Sequence, residues 1–151
     1  METTYDSQIE QIVQSIFTSM LGMEAFRGAD NPADCQETVL GTIHIAGPKS
    51  VGVALGLTAE VARAVTANML QMNPEEVTSD DIRDVAAELT NMIGGNLKSL
   101  LPGPLFLSLP TVVVGSELGL EIPGAELVED VGLVCDAGPF CVKKKKKKAD
   151  G

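Results

Sequence analysis

The strongest constraint on this chain is a single apolar-periodic run from residue 79 to about 101, which reads as a long amphipathic helix. At 100° per residue, Val85, Leu89, Met92, Ile93 and Leu100 fall on one face, so that face is expected to be core. Thr78-Ser79-Asp80-Asp81 supplies a capping-box start, with a short acid three residues after a threonine. Asp84, Glu88, Asn91 and Gly95 collect on a different, polar arc. Residues three and four apart are neighbours on a helix, so the arc presents a carboxylate beside an amide. Gly95 follows where a side chain would otherwise block close approach.

Exposed Glu and Asn on a helix are commonly just solvated, and spacing alone does not separate a site from a wet surface. The composition of the segment argues further. Asn is a poor interior helix former, and Gly is worse by roughly 1 kcal/mol against Ala. Asn91, Gly94, Gly95 and Asn96 are four such choices within six positions. Asn96 falls on the apolar arc, so it is expected to bond backbone groups in the core.

The remainder reads as one small mixed domain. Ile9, Ile12, Val13, Ile16, Phe17, Met20 and Leu21 give residues 7–23 a helical period. Strands are expected at about 37–46 and 50–57, joined by a turn at Gly47-Pro48. The second alternates Val51, Val53, Leu55 and Leu57 with small residues, giving one bulky face and one that permits close packing. Thr58 is an N-cap for an Ala-rich helix to about 72, and Pro74 ends it. Strands at about 104–109, 111–114, 126–135 and 140–145 complete the count, with Pro110 dividing the first two at an edge or bend. Met20, Met23, Met69 and Met72 are expected in the core, and lone His44 is expected to be structural.

Bulk properties exclude several functions. A chain of 151 residues at 44% hydrophobic content suits one core rather than two domains. The N-terminus is acidic and polar, unlike a signal peptide, and no apolar run reaches membrane-spanning length, so a cytoplasmic location is expected. Cys35, Cys135 and Cys141 form no CxxC pair, and with one His they make no convincing zinc site. Cys135 and Cys141 flank an expected turn over residues 136–139; a bridge is conceivable, and reduced buried thiols are the favoured reading. Lysines 143 to 148 hold six of the eleven basic residues, so residues 1–142 carry five basic and twenty acidic side chains, net −15. Such a body repels nucleic-acid phosphates. The expected organisation is a domain over 1–142 and a solvated Lys-rich tail over 143–151.

The run Glu88-Leu-Thr-Asn91-Met-Ile-Gly-Gly95-Asn96, with Leu107-Ser-Leu-Pro110-Thr-Val-Val-Val-Gly115 downstream, closely resembles the CheX branch of the CheC/CheX/FliY chemotaxis phosphatases. The family pattern is Asp or Ser, then Glu four residues on, then Asn three further, which Asp84, Glu88 and Asn91 match. A downstream proline also belongs to the family pattern, and Pro110 is the candidate for it. The resemblance implies an α+β fold of CheC-like pseudo-twofold form, two long helices on a mostly antiparallel sheet. A faint echo of the motif helix in residues 16–22 fits this, although that copy lacks the Glu and Asn pair.

The resemblance also implies an activity: dephosphorylation of the aspartyl phosphate of a CheY-like response regulator, with Asn91 placing the water and Glu88 engaging a regulator lysine. Asp84 and Gly95 would serve partner binding, and Gly94, Asn96 and Pro110 the structural motif. The regulator would supply Mg²⁺, leaving this chain no bound cofactor, and the chain would be a homodimer. The residues agree with that chemistry: no nucleophile-plus-base set is apparent, but an amide can orient water through paired donor and acceptor bonds. The alternative is a docking module of the same fold that binds a regulator or flagellar-switch component without hydrolysis.

Overall fold

The computed structural model describes residues 5–28, 38–48, 50–115 and 125–147. Helix α1 (Tyr5–Ile16) continues into a π-helical turn, Phe17–Leu21, which Gly22 closes in the left-handed conformation at φ 62°. Short strand β1 (Phe26–Arg27) precedes the hairpin of β2 (Val39–Ala46) and β3 (Val51–Leu57). Helix α2 (Ala59–Leu70) and a 3₁₀ turn (Pro74–Glu76) lead to α3 (Ser79–Ser99). Strands β4 (Phe106–Leu107), β5 (Thr111–Val114), β6 (Ala125–Cys135) and β7 (Gly138–Lys147) follow.

These strands form one sheet in the order β1-β6-β7-β3-β2-β4, with β5 also on β2, and every described pair is antiparallel. Taken along β1-β6-β7-β3-β2-β5, the order maps onto itself when β1 exchanges with β5, β2 with β6 and β3 with β7. The pseudo-twofold axis therefore passes between β3 and β7, and α1 and α3 are counterpart helices. The expected α+β architecture is present, with α2 as a third helix.

All three helices cover one face of the sheet. The register sets Ile43 and Ile45 beside Val53 and Val51, and Leu55 and Leu57 beside Val142 and Phe140. Ile9, Val13 and Phe17 of α1, Val61 and Val65 of α2, and Leu89, Ile93 and Leu97 of α3 close over them. Each such side chain contributes roughly 1.5–3 kcal/mol when fully buried. Phe17 stacks on Phe140 at 4.9 Å between ring centroids, tying the π turn to the central strands.

Four expectations need correction. The lysine run does not leave the sheet at residue 143: β7 continues to Lys147 between β3 and β6, with Lys143, Lys144 and Lys146 opposite Asp130, Glu129 and Glu126. Acidic strand pairs with basic strand, which offsets the low β-propensity of lysine. Lys144 points into the core layer and lies 3.8 Å from Glu129, both side chains buried. Burial pulls the Lys144 pKa down and the Glu129 charge opposes that shift. Leu100 is the exposed C-cap of α3, because the helix stops at Ser99 before completing its apolar face. Met20 is half exposed, since the π turn rotates it off the core face, whereas Met23 and Met69 do pack on the core. Asn96 is exposed, although its amide does donate to a backbone group, the Met92 carbonyl, at 2.8 Å.

Cys135 and Cys141 are both buried, and no bridge joins them. Cys135 sits opposite Gly138, three positions from Cys141, so the pleat sends the two thiols to opposite faces and no bridge can form. Burial also raises the Cys135 pKa, which disfavours the reactive thiolate. Cys35 lies outside the described residues. His44 is exposed, and its backbone is held by Ser108: its N–H donates to the Ser108 hydroxyl at 2.9 Å.

Candidate functional site

Helix α3 begins with the expected reciprocal cap. The Asp81 N–H donates to Thr78 Oγ1 at 3.1 Å, and the Thr78 N–H donates to Asp81 Oδ2 at 3.0 Å. Two orphan amides are thereby satisfied and the helix start is fixed. Val85, Leu89, Ile93 and Leu97 are buried along one face. A second buried row, Ala86, Thr90 and Gly94, faces β2. That row escaped the sequence reading, although its signal was present: small residues at i, i+4 and i+8 beside the apolar stripe.

Opposite this seat, Asp84, Glu88 and Asn91 are all exposed and share the polar arc. Among the described residues, no hydrogen bond or ion pair engages the side chains of Glu88 or Asn91. Both heads therefore remain open to an incoming group. Asp80, one turn before Asp84, extends the arc as a row of carboxylates, while Arg83 turns aside to donate to the Val112 carbonyl at 3.4 Å.

The two glycines differ sharply. A Cβ on Gly94 would stand 2.8 Å from Ile43 Cγ2 and 3.2 Å from Leu107 Cδ1, so this glycine lets the helix lie on the strand. A Cβ on half-buried Gly95 would meet only Leu107 Cδ2, at 4.0 Å. Gly95 thus leaves a gap in the arc beside Asn91, as its position in sequence suggested. Pro110 is half buried between β4 and β5, where it interrupts the sheet edge.

The arc is a convex helix surface rather than a cleft. A shallow depression between Ala59, Glu60, Arg63, Ala64 and Pro74 lies on α2, and its Arg63 side chain is used to donate to the Pro74 carbonyl at 2.9 Å. Among the described residues, no group of three His, Cys, Asp or Glu side chains is placed to hold a metal ion. No helix of the described residues is long and apolar enough to cross a membrane. An exposed acid–amide pair on a convex helix face offers a negative charge and paired donor and acceptor groups to an incoming surface.

Comparison with known proteins agrees on the fold. The family model described as chemotaxis phosphatase CheX matches residues 39–128, which include all of α3. The chain belongs to the CheX chemotaxis phosphatase family. The chemotaxis protein CheX of Vibrio vulnificus superposes with a TM-score of 0.80 at 17% identity, over 93% of this chain and 95% of that one. A chemotaxis protein CheX from Desulfovibrio desulfuricans gives 0.78 at 19% identity, over 95% and 100%. A chain of a CheX–CheY–BeF₃–Mg²⁺ complex from Borrelia burgdorferi gives 0.73 at 16% identity, over 98% and 100%. No curated protein matches the chain in sequence.

Proposed function

We propose that this chain hydrolyses the aspartyl phosphate of a CheY-like response regulator. The observation that carries the reading is the placement of Glu88 and Asn91. They stand one turn apart on a rigid helix, exposed, directly opposite the core, with Gly95 leaving room beside them. Support comes from family membership and from a similar fold solved with CheY, BeF₃ and Mg²⁺.

In this mechanism α3 enters the regulator's phosphorylated site. The Asn91 amide donates one hydrogen bond and accepts another, holding a water in line with the phosphorus. The water oxygen bonds to phosphorus, the bond from phosphorus to the aspartate oxygen breaks, and the aspartate leaves as carboxylate. The water's protons pass to phosphate and solvent. Mg²⁺ belongs to the regulator and neutralises the developing charge there, so positioning is what this chain must supply. Glu88 pairs with a regulator lysine, and Asp84 extends the contact. The reaction takes place in the cytoplasm.

The test is turnover. A trace of this chain added to excess phosphorylated regulator in Mg²⁺ should accelerate loss of the phosphoryl group through many cycles. Glu88→Ala should raise KM and lower kcat together, since it removes a contact made on binding as well as in the reaction. Saturable binding without turnover would establish the docking module instead.

The chain acts as a homodimer in this reading. Phe106, Leu109 and Val113, strongly exposed at the β4–β5 edge, support it as apolar surface that a second copy can cover. Light scattering at micromolar concentration should give twice the 15.8 kDa chain mass, and a monomer would overturn the assignment.

A further inference from the structure

Gly41, in the middle of β2 and far in sequence from the motif, lies directly under the turn of α3 that carries Asn91. It pairs with Leu55 on one side and Val112 on the other, on the helix-covered face. A Cβ placed there would overlap the Thr90 hydroxyl, stand 3.2 Å from the Thr90 Cβ and 3.5 Å from the Ala86 carbonyl oxygen. Thr90 is fully buried, and its Oγ1 donates to that same Ala86 carbonyl at 2.7 Å. A β-branched side chain is stiff at χ1, and the hydroxyl is already committed, so Thr90 cannot swing away. Such i−4 bonding by a buried threonine also shapes the local helix turn. The helix axis at Asn91 therefore has one permitted height above the sheet, set where the Gly41 backbone meets a Thr90 side chain that has no room to rotate.

We infer that Gly41 and Thr90 are positioning residues that fix how far Asn91 projects into a phosphorylated partner. Neither touches substrate; each acts through the height of α3. The inference rests on the phosphatase reading above. A displacement of about 1 Å in a positioning contact can lower a rate by about 10²-fold, so a seat this tight matters to kcat in particular. Binding draws on the whole exposed surface and is less sensitive to height at one turn.

The experiment measures kcat and KM for a phosphorylated CheY-like regulator, together with affinity for the same regulator loaded with beryllofluoride and Mg²⁺. Gly41→Ala should lower kcat by about tenfold or more while KM and affinity stay within about threefold. Thr90→Ser keeps the hydroxyl bond and should retain wild-type kcat. Adding Thr90→Ala to Gly41→Ala removes the overlapping atoms and should restore much of the lost rate, a non-additive result that general damage would not give. Should Gly41→Ala fail to fold, Thr90→Ala alone decides: by letting the helix settle deeper, it should lower kcat severalfold with unchanged affinity. Wild-type kcat in Gly41→Ala or Thr90→Ala, or no recovery in a folded double variant, would overturn the inference. Absence of turnover by the wild-type chain would instead overturn the phosphatase reading, so the two failures are distinguishable.

Discussion

Adjacent glycines on α3 meet different surroundings. Gly94 touches Ile43 and Leu107, whereas a Cβ at Gly95 would reach only to ordinary contact with Leu107. Alanine improves helix propensity by roughly 1 kcal/mol at either position. At Gly94 that gain is outweighed by overpacking of about 1–3 kcal/mol, so Gly94→Ala should lower the unfolding free energy. Gly95→Ala should raise it by up to about 1 kcal/mol and yet slow regulator dephosphorylation, because it fills the gap beside Asn91. Chemical denaturation and phosphoryl decay on the same two variants check both signs. The polar arc was legible in sequence because helical spacing fixes which residues are neighbours. The seat beneath it was not, since the approach of Thr90 to Gly41 joins residues from separate elements.

Among the elements, caps and breakers were readable. Thr58 caps α2, accepting from the Val61 N–H at 3.3 Å, and Thr78 with Asp81 starts α3, both as their sequence signals indicate. One short strand eluded that reading, and another ran further than expected. Strand β1 has two residues, too few for any period to show. In β7, lysines replace the apolar alternation, and only the acidic strand beside them explains why they stay in the sheet. This pairing yields a prediction for the buried Glu129–Lys144 contact. Removing one partner leaves the other charge in the core, so Glu129→Leu or Lys144→Met alone should destabilise by about 3–5 kcal/mol. The double variant should return to within about 1–2 kcal/mol of wild type, since an apolar pair of similar volume escapes the desolvation penalty. Denaturant titration of the three variants distinguishes this pattern from simple additivity.

At the scale of the whole molecule, one sheet carries two counterpart helices: α3 bears the open Glu88–Asn91 pair, whereas in α1 the Gln14 amide donates to Glu10 at 3.4 Å. The sequence echo between residues 16–22 and α3 pointed to this symmetry, and the strand order displays it. The counterpart stretch of α1 closes as a π turn, which changes the register of the face it offers. Among the described helices, α3 combines a capped start, a tight seat and an open Glu88–Asn91 face. On the proposed reading, catalysis by such a molecule depends on lending one correctly placed amide to a site that already holds phosphate and metal.

That claim is tested most directly by the rate of phosphoryl loss from a saturating regulator complex with Asn91→Ala, measured beside affinity for the beryllofluoride-activated regulator. If the amide works mainly in the transition state, as proposed, kcat should fall by about 10²-fold or more while affinity and stability change little. An Asn91→Ala variant that binds normally and retains the wild-type kcat would contradict the account.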